Sequence, residues 1–224
     1  WRRSRRGPAI SNHSAVQFGH RVEAHVLAKF TAGNGRIEST TDGWRLHIRP
    51  TSAYTDAQLD DTQGRPRPDL LHRPPVRLTL QARVSAPSPG GTLGFGFWND
   101  PFPSWAGEAG SRRILPASPR ALWFFHASPP SQIPFSPAGP MVGWTAATYR
   151  GPSLPGGIIA AIGAAAFAGM AIPRLRAPLL RRYWRWFAGH QSPPLSGLDG
   201  WHAYEIDWRP EGARFLVDGQ TVLE

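Results

Sequence analysis

The sequence of 224 residues contains no cysteine, and lysine occurs once, at Lys29. Without cysteine the chain forms no disulfide bond and no thiolate metal site. The compartment stays open, because secreted proteins need not carry disulfides. Almost all of the positive charge behind the formal net charge of +10 is therefore arginine. That charge is compatible with a nucleic acid, an anionic lipid or an acidic glycan as partner, and equally with an arginine-rich genome.

Motifs of several enzyme classes are also missing. The sequence has no glycine-rich phosphate loop and no nucleophile elbow. No group of His, Asp and Glu residues shows metal-ligand spacing, and no recognised nucleic-acid-binding motif accompanies the arginines. We therefore expect no cofactor and no specific nucleic acid partner, and the sequence predicts no metal site.

Turn-forming and aromatic residues are abundant. The chain has 10 tryptophans, 24 glycines and 24 prolines, a composition that favours many turns over long helices. Its length is enough for one large β domain. Residues 76–85 alternate apolar and polar side chains without a break, which is the period of a half-buried strand. Asp218-Gly219 predicts a tight hairpin. Further strands are predicted at residues 45–49, 92–98, 120–128, 201–209, 213–217 and 220–223.

These strands and turns, without regular βαβ alternation, predict an all-β fold, an antiparallel two-sheet β-sandwich. We expect one such domain over residues 21–224, interrupted by an insertion at residues 157–187. Residues 1–20, which begin with four arginines among the first six residues, are interpreted as a basic tail or an edge segment. Residues 50–75, rich in Pro, Asp and Arg, are interpreted as a long loop.

The segment WHAYEIDWRPEGARFLVDG at residues 201–219 resembles glycoside hydrolase family 16, where a similar His-x-Tyr-x-Ile-x-Trp segment leads to a Val-Asp-Gly hairpin. The segment GTLGFGFWNDPF at residues 91–102 is similar to the family's Gly-x-Trp-Pro-Ala-Phe-Trp strand. The resemblance covers roughly half of the chain. It implies a jelly-roll sandwich of the concanavalin A-like lectin/glucanase type. Such sandwiches usually continue with another long strand, so we expect further strand structure beyond Glu224.

The resemblance also implies a Glu-x-Asp-x-x-Glu pattern, whose carboxylates act as nucleophile and general acid/base. Residues 121–126, Ala-Leu-Trp-Phe-Phe-His, form the best candidate for that strand and carry no carboxylate. We therefore expect no hydrolysis of β-1,3- or β-1,4-glucans by the family mechanism. Weak candidates for an altered catalytic site are Asp100, Glu108, His126, Glu205 and Asp207. We favour a structural role for His126, and outward-facing positions on a sandwich strand for Glu205 and Asp207.

Aromatic and polar side chains around two predicted strands, 92–98 and 120–128, are candidates for a ligand site on a concave face. Sugars stack their C–H faces on aromatic rings, and polar side chains bind their hydroxyls. The candidate residues are Trp98, Asn99, Asp100, Trp105, Trp123, Phe125, His126 and Trp144. The alternative is that most of these rings belong to the core. Gly94 and Gly96 share the face of Trp98 and leave open space, either for a ligand or for another backbone.

The insertion combines an uncharged run at residues 157–172 with five arginines in residues 174–187. The run of 16 residues is shorter than the about 20 residues of a transmembrane helix. We expect the longest helix of the chain here, ended or kinked by Pro173 and Pro178. The insertion is predicted to pack over the sandwich, to contact an anionic membrane or a protein complex, or to span a membrane. Its proposed contact residues are Arg174, Arg176, Arg181, Arg182, Trp184, Arg185 and Trp186.

Three function classes follow. The preferred one is a carbohydrate-binding, lectin-like module related to the hydrolase family, with a glycan or other small ligand on the concave face. The second is a glycoside hydrolase or another enzyme with a rebuilt site. The third is an accessory protein docked to a membrane or a larger complex through residues 157–187. The resemblance allows a structural calcium ion, although no residues locate it, and favours an extracytoplasmic or membrane-peripheral position.

Overall fold

The fold is known from a computed structural model, which describes residues 14–19, 27–49, 54–61, 70–85, 89–101, 114–129, 142–184 and 188–224. The chain is mostly β, with two helices between the ninth and tenth strands. The strands are β1 Ser14–Gly19, β2 Ala28–Ala32, β3 Arg36–Thr40, β4 Gly43–Ile48, β5 Asp56–Asp60, β6 Val76–Val84, β7 Thr92–Trp98, β8 Arg120–Ala127, β9 Gly143–Arg150, β10 Ala188–Gln191, β11 His202–Arg209, β12 Gly212–Val217 and β13 Gln220–Leu223. The predicted strands are confirmed, and every strand pairing is antiparallel.

The strands form three sheets. A seven-stranded sheet has the order β13-β12-β11-β6-β1-β4-β3, and a four-stranded sheet has the order β10-β9-β8-β7. The third sheet is the pair β2-β5. Its strand β5 lies within residues 50–75, so the prediction of a long loop there was wrong. The segment is polar, and its pairing with the distant β2 gives no local sequence signal.

For residues 14–19, strand β1 corrects the interpretation as a tail or an edge segment, whereas residues 1–13 lie outside the described residues. The strand lies between β4 and β6, with Val16 opposite both Leu46 and Val84. Six residues next to an arginine-rich stretch show too few periods to predict a strand. The partners of β1, which lie far along the sequence, place it in the interior of the sheet.

The two larger sheets pack face to face, as expected for a β-sandwich. Phe124 of β8 has no exposed surface and lies with its ring centroid 5.1 Å from that of Tyr204 and 5.5 Å from that of Phe215, on the opposite sheet. Phe97 and Trp208 make a similar contact across the layers at 5.5 Å. Edge-on and tilted ring contacts of this kind are favourable for aromatic pairs. The core therefore consists largely of aromatic side chains from both sheets.

The hairpin between β12 and β13 forms where Asp218-Gly219 predicted it. Both residues have positive φ, 48° and 78°, the backbone conformation that the favoured two-residue turn requires. The Asp218 carboxylate also accepts hydrogen bonds from the Ala203 backbone N–H, at 2.8 Å, and from the His202 ring, at 2.6 Å. These bonds lower the pKa of Asp218 below its ordinary value of 3.8, and the bond from His202 has the largest effect.

The Asp218 contacts predict a pH-dependent contribution to stability. Asp218→Asn keeps a residue that tolerates positive φ but removes the charge. Because the pKa of Asp218 is lower in the folded state, its ionised form stabilises the fold above about 3.8, and this contribution is lost as pH falls through the lower folded value. We expect wild type to be more stable than the variant near neutral pH, by at most about 1 kcal/mol for a half-exposed carboxylate. Chemical denaturation at several pH values measures the gap, and a gap that does not narrow in acid would contradict this assignment.

The insertion forms a helical hairpin. Helix α1, Gly156–Met170, is the longer of the two described helices, and α2, Pro173–Trp184, follows after a short turn. The two helices pack where Gly169 lies against Leu179. Pro173 begins α2, as expected for a residue without a backbone N–H, whereas α2 continues through Pro178. Among the described residues, no helix is long and apolar enough to cross a membrane.

Candidate binding face

The four-stranded sheet has one face in the core and one face turned away from it. Residues directly opposite each other in an antiparallel pair share a face, and successive residues alternate. On β8, Leu122 and Phe124 belong to the sandwich core, so Trp123 and Phe125 lie on the outer face. The outer-face residues of the four strands are Thr92, Gly94, Gly96, Trp98, Ala121, Trp123, Phe125, Ala127, Gly143, Thr145, Ala147, Tyr149, Gly189 and Gln191.

Three aromatic rings form a continuous stack on this outer face. The ring centroids of Trp98 and Trp123 are 4.7 Å apart with an interplanar angle of 24°, and those of Trp123 and Phe125 are also 4.7 Å apart, at 23°. Trp123 and Phe125 are buried, whereas Trp98 keeps part of its surface accessible. Trp98 is therefore the member of the stack that is not fully buried, and it packs against a buried cluster that contains Trp123 and Phe125. We refer to Trp98, Trp123 and Phe125 as the aromatic stack.

The two glycines of β7 make room for the neighbouring backbone. Gly94 lies opposite Phe125 and Gly96 opposite Trp123. A Cβ atom on Gly96 would stand 2.2 Å from the Leu122 carbonyl oxygen, and one on Gly94 would stand 2.4 Å from that of Phe124. Of the two predicted uses of this space, close approach of another backbone is therefore the observed one.

Asn99 and Asp100 follow β7 at the Trp98 end of the stack, and both are buried. The Asn99 amide donates to the Ser118 carbonyl oxygen at 2.9 Å and accepts from the Arg120 N–H at 2.9 Å. These bonds join the end of β7 to the start of β8, so Asn99 positions the stack. Asp100 has a φ of 40°, an uncommon conformation for a residue other than glycine.

His126 and Trp144 lie on the other side of the sheet, which corrects the single site predicted from sequence. They are opposite each other on β8 and β9 with ring centroids 5.5 Å apart, and both are buried. The physical reason is strand alternation, since His126 is an odd number of residues from both Trp123 and Phe125. Burial lowers the pKa of His126 and favours the neutral ring. Its Nδ1 atom has no hydrogen-bond partner within the described part of the chain.

Glu205 and Asp207 face outward on the other sheet, as we favoured. Arg77 of β6 lies between them, with Nε 3.4 Å from Glu205 Oε1 and a terminal nitrogen 3.3 Å from Asp207 Oδ2. Arg209 donates to Asp207 at 2.7 and 2.9 Å. The hydrogen bonds and charge of Arg209, with those of Arg77, lower the pKa of Asp207. A general acid in glycoside hydrolysis requires the opposite shift.

The sequence did not single out three residues on the outer face. Tyr149 and Thr145 of β9 are buried there, and Gln191 of β10 lies opposite Ala147. The Oε1 atom of Gln191 is buried and has no partner among the described residues. Most residues of β9 are buried on both faces, so its sequence shows no alternation from which a strand could be predicted.

Two predicted site residues, Trp105 and Glu108, lie outside the described residues. Within the described ranges, no three His, Asp or Glu side chains come together in a way that could hold a metal ion. No family model, curated protein or solved structure matches this chain. The resemblance to glycoside hydrolase family 16 therefore stays a proposal based on sequence.

Proposed function

We propose that this chain is a carbohydrate-binding, lectin-like module that binds a glycan at the outer face of its four-stranded sheet. In this proposal the sandwich is a concanavalin A-like jelly roll related to glycoside hydrolase family 16, without the family's two-carboxylate mechanism. The aromatic stack is the observation that carries the proposal. Flat, parallel rings with one accessible end are suited to the apolar C–H faces of sugar rings.

The position of the stack supports a relationship to the family. The resemblance implies that the catalytic strand lies between the strand at residues 92–98 and the strand at residues 201–209. In this chain that place is taken by β8, whose outward residues are Ala121, Trp123, Phe125 and Ala127. In this proposal β8 corresponds to the family's catalytic strand, with apolar side chains where the family has carboxylates, and this arrangement favours binding without cleavage.

Three of the catalytic candidates, His126, Glu205 and Asp207, do not converge. His126 faces the inside of the sandwich, whereas Glu205 and Asp207 lie on the outer face of the other sheet. Acid/base catalysis requires groups within hydrogen-bond reach of one substrate. This separation favours a binding module over an enzyme that uses these residues.

The proposal predicts that Trp98→Ala abolishes most of the glycan affinity. Truncating an aromatic group at the centre of a contact typically costs 2 kcal/mol or more, so we expect Kd to rise about 30-fold. A glycan array first identifies the bound class, starting from β-1,3- and β-1,4-gluco-oligosaccharides, and titration calorimetry then measures Kd for wild type and variant.

Trp201→Ala is the matched control, because Trp201 is 47% exposed and its ring lies 5.2 Å from Arg83, which belongs to the other sheet. We expect this variant to bind as wild type does. Equal affinity of wild type and Trp98→Ala would contradict the aromatic stack as the binding site. Turnover of a gluco-oligosaccharide that depends on Glu205 or Asp207 would contradict binding without hydrolysis.

A further inference from the structure

Helix α1 is apolar on every side and yet exposed. It contains only Gly, Ala, Ile, Phe and Met. Residues 161–165 are all exposed, and five consecutive residues cover more than a full helical turn. Helices that are hydrophobic all round are normally buried in a protein core or in lipid. Within the described part of the chain, no residues cover positions 161–165, and an apolar surface of this kind favours an apolar partner.

Large apolar side chains are exposed on α1 and at the turn into α2. Ile158 and Ile162 of α1 are 48% and 37% exposed, and Ile172 and Leu175 at the turn are 51% and 43% exposed. Leu115, which lies against Gly156 at the start of α1, is also exposed. Several large exposed apolar residues in one part of a protein are typical of an interaction site.

The same part of the chain carries positive charge without acidic residues. Residues 109–198 include no Asp or Glu but nine arginines, which nearly equals the formal net charge of the whole chain. This stretch supplies β8, β9, both helices and β10. Arg174 and Arg182 of α2 have exposed side chains, and α2 packs on α1. Exposed arginines and exposed apolar residues therefore lie on the same hairpin.

We propose that the hairpin α1–α2 docks this protein on the surface of an anionic lipid bilayer. Helix α1 and the hairpin turn enter the boundary between headgroups and acyl chains, while the arginines of α2 contact the headgroups. The predicted contact residues Arg176, Arg181, Trp184, Arg185 and Trp186 have side chains outside the described part.

A lipid surface matches both the exposed apolar residues and the exposed arginines of the hairpin. A nucleic acid or an acidic protein segment would be attracted by the arginines but would leave Ile158 and Ile162 in water. A second copy of the chain would cover the apolar residues but would bring two basic surfaces together, which is unfavourable. An anionic bilayer presents negative charge and apolar groups within one headgroup layer, so it matches both kinds of exposed residue.

The contribution of the arginines to membrane binding is tested with Arg174→Gln/Arg182→Gln and vesicles of equimolar phosphatidylcholine and phosphatidylglycerol. Each basic residue near an anionic surface contributes about five-fold to partitioning, so the pair should weaken binding about 30-fold at low salt, and the difference should shrink as salt is added. Arg36→Gln/Arg49→Gln is the control, since it removes the same charge from exposed positions in and beside the seven-stranded sheet. Vesicle flotation measures the bound fraction.

The contribution of the apolar residues is tested with Ile158→Ser/Ile162→Ser. Both isoleucines are exposed, so we expect the variant to fold as wild type does. We expect this pair to weaken binding to the same vesicles at least about ten-fold. The control is Leu27→Ser/Leu71→Ser, which changes two exposed apolar residues outside the hairpin. Circular dichroism of all four variants confirms equal folding.

Loss of binding in both hairpin variants, with both controls retained, supports the proposal. Weaker binding in the arginine pair alone would identify a purely electrostatic partner and overturn it. Equal weakening of vesicle binding by the arginine pair and by its control would indicate attraction by net charge alone, and this result would also overturn the proposal. If wild type fails to bind vesicles and Ile158→Ser/Ile162→Ser turns a dimer into a monomer in sedimentation velocity, the hairpin is a self-association surface and the lipid assignment is wrong.

Discussion

Replacing Phe124 by alanine is expected to lower the free energy of unfolding by about 3–5 kcal/mol, the usual cost of removing a buried phenylalanine. Phe124 has no exposed surface and lies where the two sheets meet, against Phe95, Tyr204 and Phe215. Several of its neighbours are rigid rings on strands that pair on both sides. The cavity left by the substitution therefore cannot close by small side-chain shifts, so the loss should fall in the upper part of the range.

Guanidinium denaturation of wild type and Phe124→Ala measures the difference, provided that both unfold in one transition. Leu71→Ala is the control, since Leu71 is 58% exposed, and we expect it to change the free energy of unfolding by less than about 0.5 kcal/mol. A loss below about 1 kcal/mol in Phe124→Ala would mean that the two sheets do not pack through this residue.

Gly96→Ala is the second substitution with a large expected effect, although it adds only one methyl group. Gly96 has a φ of 148°, and an added Cβ would stand 2.2 Å from the Leu122 carbonyl oxygen and 2.6 Å from the Trp123 Cα. Backbone strain of about 1–3 kcal/mol and overpacking of about 1–3 kcal/mol act together. We expect the free energy of unfolding to fall by about 3 kcal/mol or more, because backbone atoms of a paired strand cannot move aside.

Gly90→Ala provides the matched comparison. Gly90 lies just before β7, and an added Cβ there would meet no atom within 4 Å. We expect a change of less than about 1 kcal/mol, since alanine mainly restricts the unfolded chain at a compatible position. Similar stabilities of the two glycine variants, measured by thermal or chemical denaturation, would be incompatible with the close approach of β7 and β8.

Strict alternation made part of the fold predictable. Residues 76–85 read as a strand because one face of β6 packs on the core while the other carries polar groups such as Arg77. The same alternation correctly placed Gly94, Gly96 and Trp98 on one face of β7. The Asp218-Gly219 turn was predictable because few residues adopt positive φ. The uncharged run at residues 157–172 correctly predicted the longest described helix.

The errors have equally definite causes. His126 was grouped with Trp123 because the two are near in sequence, and Trp144 because it is also a tryptophan. Strand alternation places both on the opposite face of the sheet from Trp123. Tyr149 and Gln191 were not singled out, because β9 has few polar positions and β10 is only four residues long. Strand β5 is polar and pairs with a distant strand. The face of His126 follows from alternation along β8 itself, whereas the pairings of β5 and β10 depend on residues far away in the sequence, which a local pattern does not contain.

The position of β1 in the seven-stranded sheet has a consequence for how the chain folds. This strand connects two groups, β4 with β3 on one side and β6 with β11, β12 and β13 on the other. During synthesis it leaves the ribosome well before Val84, the partner of Val16, has been made. The hairpin β3–β4 can form early from neighbouring residues, but the full sheet has to wait for contacts of high sequence separation, which form slowly. A chain without residues 14–19 would have two separate sheet edges where the native protein has one continuous sheet, and such edges are where strands of different molecules join.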